Sequence, residues 1–119
     1  MNIVNQTDIA WAAGIVEGEG CFILSKDRRS NYHKAAIQVE MTDKDALDKL
    51  QAILGGNIVE SNYPSKYKHF PNAKPSWRWY VAKQQVVFDA LLRIMPYLGH
   101  RRLTRATELF NYLEPKVCK

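Results

Sequence analysis

Two carboxylates lie close together near the start of the chain. Glu17 and Glu19 follow an apolar segment in "AWAAGIVEGEGCF", residues 10–22, with glycines between and after them. The apolar segment predicts a helix over residues 7–18. A carboxylate at the carbonyl end of a helix costs roughly 0.3 to 1 kcal/mol, because the unpaired carbonyls there already carry partial negative charge. The position of this pair therefore requires a compensating interaction.

Small residues along the same helix suggest one. Ala10, Gly14 and Gly18 fall four positions apart and form a narrow stripe that lets another helix approach closely. No other predicted helix has a matching stripe, so we expect a symmetric dimer in which the stripe packs on its own copy. Two copies of Glu19 then meet near the axis, and paired carboxylates bind Mg²⁺ or Ca²⁺. The alternative is that Glu17 and Glu19 are solvated turn residues and the stripe packs on the chain's own sheet.

The elements that position these residues follow from caps, glycines and apolar spacing. The sequence predicts a helix 7–18 capped by Thr7 or Asp8, strands 21–27 and 32–41, a helix 44–54 capped by Thr42 or Asp43, strands 57–63 and 76–82, and helices 84–98 and 100–113. Residues 28–31 and 64–75 are predicted as a turn and a loop. We expect one α+β domain over residues 1–119, with a four-stranded antiparallel sheet covered on one face by helices.

Composition limits the classes of function. The chain of 119 residues has a net charge of +5, which suits a polyanionic partner and equally an ordinary basic protein. No apolar run approaches the roughly 18 to 20 residues that span a bilayer, so we expect no membrane function. No secretory signal is visible, and Cys21 and Cys118 are expected to be reduced thiols. We expect an intracellular protein, acting in the cytoplasm or, if encoded by an organelle or phage, inside the host cell, without a small-molecule substrate.

The segment "AAGIVEGEG", residues 12–20, resembles the motif that names the LAGLIDADG homing endonucleases. Ala13 and Gly14 match its second and third letters, Glu17 and Glu19 its two acidic positions, and Gly20 its last glycine. "IQVEMTDKDALDKLQAILGG" is similar to the family's second strand and following helix, and "RIMPYLGHRRLTRA" resembles its closing segment. The resemblance implies an αββαββα(α) fold with a saddle-shaped sheet over nearly the whole chain.

The resemblance also implies residue roles. Chains with one motif act as homodimers through the motif helix, here at Ala10, Ala13, Gly14, Glu17 and Gly18. Glu19 matches the residue that binds a divalent metal at the scissile phosphates, with the carbonyl of Gly18 as a helper. Arg101 best matches the family's catalytic lysine, and Arg102 is the competing position. The implied activity is Mg²⁺-dependent cleavage of double-stranded DNA at a pseudo-palindromic site, and Ca²⁺ can occupy the site without supporting cleavage.

Recognition is assigned to the sheet, because two-stranded ribbons fit the major groove. The expected DNA-binding residues are Ser25, Lys26, Arg28, Arg29, Lys34, Gln38, Glu40, Lys66, Lys68, Lys74, Arg78 and Tyr80. The lysines are expected at phosphates, whereas Gln38 and Arg78 have the donor geometry to read bases. Trp77 and Trp79 are expected in the core.

One position departs from the family pattern. Many relatives place a water-orienting glutamine near the end of the second strand, where this chain has Met41. Gln38 and Glu40 are nearby but on the opposite strand face. The departure favours an alternative on the same fold: a cleavage-inactive DNA-binding regulator or an intron RNA-splicing maturase. A domain that binds only proteins is a third class, which predicts affinity insensitive to salt.

Overall fold

Helices and strands alternate along the chain in the predicted order. The structure, a computed structural model, describes residues 4–26, 33–61 and 75–118. The elements are α1 Gln6–Glu19, β1 Gly20–Lys26, β2 His33–Met41, α2 Lys44–Leu54, β3 Asn57–Ser61, β4 Ser76–Val81, α3 Gln84–Ile94, a 3-10 turn Met95–Tyr97 and α4 His100–Val117. The expected α+β class, with a four-stranded antiparallel sheet, is confirmed.

The strands lie in the order β1-β2-β4-β3, so β2 and β4 occupy the centre. Ile37 pairs with Val81 and Val39 with Trp79, and all four side chains are buried against the helices. The alternating positions, among them Gln38 and Arg78, lie on the other face. The largest fully buried side chains are Trp79, Ile37, Leu47, Leu50, Leu91, Ile94, Leu109 and Leu113. The core therefore lies between one face of the sheet and the helices.

Helix α2 begins and ends at the residues predicted from local signals. The side chain of Asp43 accepts a hydrogen bond from the amide of Ala46 (3.4 Å), and Gly55 ends the helix with φ +79°. The indole Nε1 of Trp79 donates to the carbonyl of Gly55 (2.8 Å). A Cβ on Gly56, where φ is +93°, would lie 2.6 Å from a β4 carbonyl, so this turn requires glycine. The turn is thereby fixed onto the centre of the sheet.

The motif helix α1 is longer than predicted at both ends. Its cap is Asn5, whose side chain accepts a hydrogen bond from the amide of Asp8 (2.8 Å), so the predicted caps Thr7 and Asp8 lie inside the helix. Gly18 does not stop the helix, which continues to Glu19. Glu19 is therefore the last residue of the helix rather than part of a following turn.

The last predicted helices also differ in length. The helix predicted over residues 84–98 ends at Ile94, and Pro96 lies in the short 3-10 turn that follows. Helix α4 extends to Val117. Among the described residues, none of the helices combines the length and apolar character needed to cross a membrane. The predicted turn at residues 28–31, most of the loop at 64–75 and the strand end at 62–63 lie outside the described residues.

Candidate functional site

The end of α1 is a sharp corner that leads directly into β1. The amide of Gly20 donates to the carbonyl of Val16, which closes the last turn of the helix. A Cβ on Gly20 would lie 2.5 Å from that carbonyl oxygen, so only glycine fits here. The corner leaves Gly18 and Glu19 exposed at the end of the helix.

Arginines of α4 bind the backbone at this corner. Arg102 donates from Nε to the carbonyl of Glu17 (3.2 Å) and from Nη1 to the carbonyl of Gly20 (2.6 Å). Arg105, one turn later, donates from Nε to the carbonyl of Phe22 (3.3 Å) on the edge strand. A guanidinium at the carbonyl end of α1 opposes the negative pole of that helix. This contact supplies part of the compensation that the two glutamates require.

Glu17 lies beside the N-terminal end of α4, which is the positive pole of that helix. Its Oε1 lies 2.7 Å from the position that a Cβ on Gly99 would occupy, and Gly99 is the N-cap residue of α4. No side chain caps α4, and Oε2 of Glu17 is buried without a hydrogen-bond partner among the described residues. A carboxylate is favourable beside the positive end of a helix. Glu17 thus joins the start of α4 to the end of α1 within one chain, and it is less accessible to a partner than the exposed Glu19.

The charged residues next to these contacts in the sequence differ in accessibility. Glu19 and Arg101 are exposed, whereas Arg102 is half-buried by its contacts with the backbone. No group of three or more His, Cys, Asp and Glu side chains that could hold a metal occurs among the described residues. One chain therefore offers one exposed carboxylate, Glu19, beside the Gly18 backbone. This donor set suits a hard divalent cation only if another molecule supplies further oxygen ligands.

The exposed residues in the middle of α1 are small. Ala10, Gly14 and Gly18 are all exposed, and a Cβ built at either glycine meets nothing within 4 Å. The alternative in which this stripe packs on the chain's own sheet is therefore wrong. Ala13, expected at the dimer interface with these residues, is fully buried in the core, because it lies one residue away from the exposed line of the helix.

The uncovered face of the sheet carries the predicted DNA-binding side chains that the structure describes. Ser25, Lys34, Gln38, Glu40, Arg78 and Tyr80 occupy its alternating positions. A concavity of about 350 Å³ is lined there by Ile23, Lys34, Ala36, Gln38, Val59, Arg78, Tyr80 and Ala82. Trp77 and Trp79 lie on the opposite face, as expected. Arg28, Arg29, Lys66, Lys68, Lys74 and the side chain of Lys26 lie outside the described residues.

Solved structures share this architecture. The homing endonuclease I-CvuI, in complex with its target in the presence of Ca, has a TM-score of 0.73 and 20% identity, over 92% of this chain and 67% of that chain. This chain has the fold of the LAGLIDADG homing endonucleases. A double mutant of I-SmaMI has a TM-score of 0.69 and 19% identity, over 98% of this chain and 39% of that chain. No family model and no curated protein matches the sequence.

A third structure shows the same likeness at lower identity. The group I intron-encoded homing endonuclease I-CeuI, complexed with DNA, has a TM-score of 0.66 and 14% identity, over 96% of this chain and 57% of that chain. The chain thus spans from 39% to 67% of the three structures. At these identities the likeness establishes the fold, and residue roles have to be argued from the side chains of this chain.

Within this LAGLIDADG fold, Met41 belongs to the core side of the sheet. It is half-buried, packs against the hydrophobic core and pairs with Trp77 of β4. Gln38 and Glu40 lie on the opposite face, as the alternation predicts. The neighbouring polar side chains of β2 therefore cannot replace a glutamine at position 41 without a change of strand register.

Two serines that the sequence does not mark as site residues lie on the open face beside Glu40. The hydroxyl of Ser61, which is 9% exposed, donates a short hydrogen bond to Oε1 of Glu40, and Ser76 donates to the same oxygen (3.4 Å). The two serines are register partners at the ends of β3 and β4. Their proximity to Glu40 depends on how three strands align, and no local sequence signal specifies that alignment.

Proposed function

We propose that this chain is a divalent-metal-dependent endonuclease that cleaves double-stranded DNA as a homodimer. The observation that carries the proposal is the end of α1. An exposed carboxylate, Glu19, terminates a helix whose exposed stripe is Ala10, Gly14 and Gly18. A second copy packed on that stripe brings a second Glu19 to the same place and completes an oxygen donor set.

We assign different roles to the residues at the end of α1 and the start of α4. Glu19 and the Gly18 carbonyl of each chain would hold Mg²⁺, which when bound stabilises the charge that develops on the scissile phosphate. Arg101 presents an exposed guanidinium at the start of α4, where it neutralises the same phosphate. Arg102 holds α4 against α1 and so fixes the position of Arg101. Two such sites cut the two strands of a pseudo-palindromic duplex.

A second candidate is a DNA-binding regulator or an intron RNA-splicing maturase that no longer cleaves. Met41 favours it, because its thioether faces the core side of the sheet and offers no strong hydrogen bond with which to orient a water. In this alternative the open sheet face still binds nucleic acid, and the carboxylate of Glu19 has no catalytic role.

Cleavage of random-sequence duplexes in Mg²⁺ tests the proposal. We expect the purified chain to cut a subset of the pool, and Glu19→Gln to lower the rate by about 100-fold or more, because the neutral amide is a poorer metal ligand. The matched control is Glu114→Gln, the same chemical change at an exposed position near the other end of α4. It lies about 21 Å along the helix axis from His100, the first residue of α4.

The outcomes separate the candidates. Cutting that persists in Glu19→Gln would contradict the metal assignment. Binding of duplexes by the unaltered chain without any cutting would favour the regulator or maturase. A control variant that loses as much activity as Glu19→Gln would show that charge alone, rather than the position of Glu19, determines the rate.

A further inference from the structure

Arg78 and Glu40 form a pair of opposite charges on the two central strands of the open sheet face. They are register partners on β4 and β2, and their side chains project from the same face of the sheet. Directly opposite residues in antiparallel strands have Cβ atoms about 4.5 to 5.5 Å apart. A strong donor and a strong acceptor are thereby presented side by side.

Each member of the pair is held in position. Glu40 accepts hydrogen bonds from Ser61 and Ser76 at one carboxylate oxygen. Arg78 is half-buried in the wall of the concavity, and its Nε is buried without a hydrogen-bond partner among the described residues. The hydrogen bonds of Glu40 and the partial burial of Arg78 restrict the two side chains, so they lose less conformational entropy than fully exposed side chains when they bind a ligand. This distinguishes Arg78 from an exposed cation such as Lys34 at the rim.

The pair matches the edge of one base pair. In the major groove a G·C pair presents two acceptors on guanine, N7 and O6, followed by the amino donor of cytosine. An arginine donates to the guanine acceptors, and a glutamate accepts from the cytosine amino group. In the reversed pair, C·G, the arginine would face an amino group and the glutamate would face acceptors. In A·T the arginine would meet the adenine amino group and the glutamate the thymine acceptor O4. In T·A the glutamate could accept from the adenine amino group, but the arginine would find only one acceptor, O4, beside the thymine methyl group.

We infer that Arg78 and Glu40 together read one G·C base pair in each half-site of the target. This inference rests on the proposed binding of duplex DNA by this chain. The carboxylate of Glu40 discriminates against C·G and A·T, which offer it only acceptors, and the two donors of Arg78 discriminate against T·A, which offers them a single acceptor. Lys34 contacts phosphate and contributes affinity without sequence preference.

The experiment selects bound duplexes from a random pool in the presence of Ca²⁺ and then measures dissociation constants for the four base pairs at each selected position. The unaltered chain is expected to prefer G·C at one position of each half-site. Arg78→Ala and Glu40→Gln are each expected to reduce that preference by about 5- to 150-fold, and both at the same position. Lys34→Ala is the matched control and is expected to weaken all four duplexes by the same factor.

A second variant, Arg78→Lys, distinguishes a loss of base recognition from a folding defect. It keeps the charge and the packing of the stem but lacks the bidentate fork, so it too is expected to lose the G·C preference. Circular dichroism and thermal unfolding establish that each variant is folded. The inference is overturned if the two substitutions act at different positions, or if they lower affinity uniformly as Lys34→Ala does. Failure of the unaltered chain to bind any duplex would overturn the proposed function as well, whereas binding with an unchanged base preference would overturn this inference alone.

Discussion

Glu17 and Glu19 are two residues apart, yet their surroundings differ. Glu17 lies against Gly99 at the start of α4 with one oxygen buried, whereas Glu19 is exposed at the last position of α1. The first carboxylate therefore contributes to how two helices of the same chain meet. The second remains accessible for a metal and for a second chain.

A double-mutant cycle tests the role of Glu17. A Cβ at Gly99 collides with the Glu17 carboxylate, so Gly99→Ala is expected to displace that side chain and to destabilise the protein. In the Glu17→Ala background the collision is absent. We therefore expect the loss of unfolding free energy in the double variant to be smaller than the sum of the two single losses. The difference is expected to be about 0.5 kcal/mol or more, as measured by urea denaturation. Additive effects would show that the two residues do not interact.

At the scale of elements, α1 has two faces with different tasks. Ala12, Ala13 and Val16 are fully buried against the sheet and the other helices. Ala10 and Gly14 are exposed, and the space beside Gly14 is open. A helix with small residues on both faces can pack closely on two sides at once. This arrangement accounts for the alanines and glycines of the motif without any requirement for backbone flexibility.

Gly14→Leu tests the assignment of the exposed face. Within the chain the new side chain has room, and leucine favours the helix by up to about 1 kcal/mol over glycine, so the monomer is expected to remain folded. Across a dimer interface it would separate the two helices. Sedimentation velocity is therefore expected to show dimers for the unaltered chain and monomers for the variant.

The control for this experiment is Ala52→Leu on the exposed side of α2, which adds a leucine away from the stripe. We expect its oligomeric state to match that of the unaltered chain. A Gly14→Leu chain that remains dimeric would place the interface elsewhere.

At the scale of the whole molecule, charge is presented on a face that the helices leave uncovered. The chain has a net charge of +5, and Lys34 and Arg78 lie on the open side of the sheet. The helices cover the opposite side, where the aromatic and aliphatic side chains are buried. The side chains of Lys34 and Arg78 are therefore presented together on one accessible surface.

Salt dependence tests this surface. The logarithm of the binding constant for duplex DNA is expected to fall linearly with the logarithm of salt concentration. Lys34→Ala is expected to reduce the slope by about 1 for each copy of the chain in the complex, because one phosphate contact is lost. Lys116→Ala, which also removes one positive charge but near the end of α4, is expected to leave the slope unchanged. Binding that does not respond to salt would support the third class, a protein-interaction domain.

Much of the architecture could be predicted from neighbouring residues. Helix α2 has the predicted bounds, because Asp43 caps it and Gly55 ends it through contacts within a few positions. The assignment of Trp77 and Trp79 to the core and of Arg78 and Tyr80 to the open face follows from alternation alone. The errors at α1 have an equally local cause, since Asn5 is as good a cap as the residues that follow it.

The sequence by itself determined the elements, the faces of the strands and the acidic end of α1. Only the tertiary structure decided which residues meet there. Arg102 reaches the carbonyl of Glu17 across 85 positions, and Ser61 reaches Glu40 across 21. Local patterns specify backbone conformation, because caps and alternation act over a few residues. Contacts of this kind depend on the packing of whole helices and on strand register, which no short segment encodes.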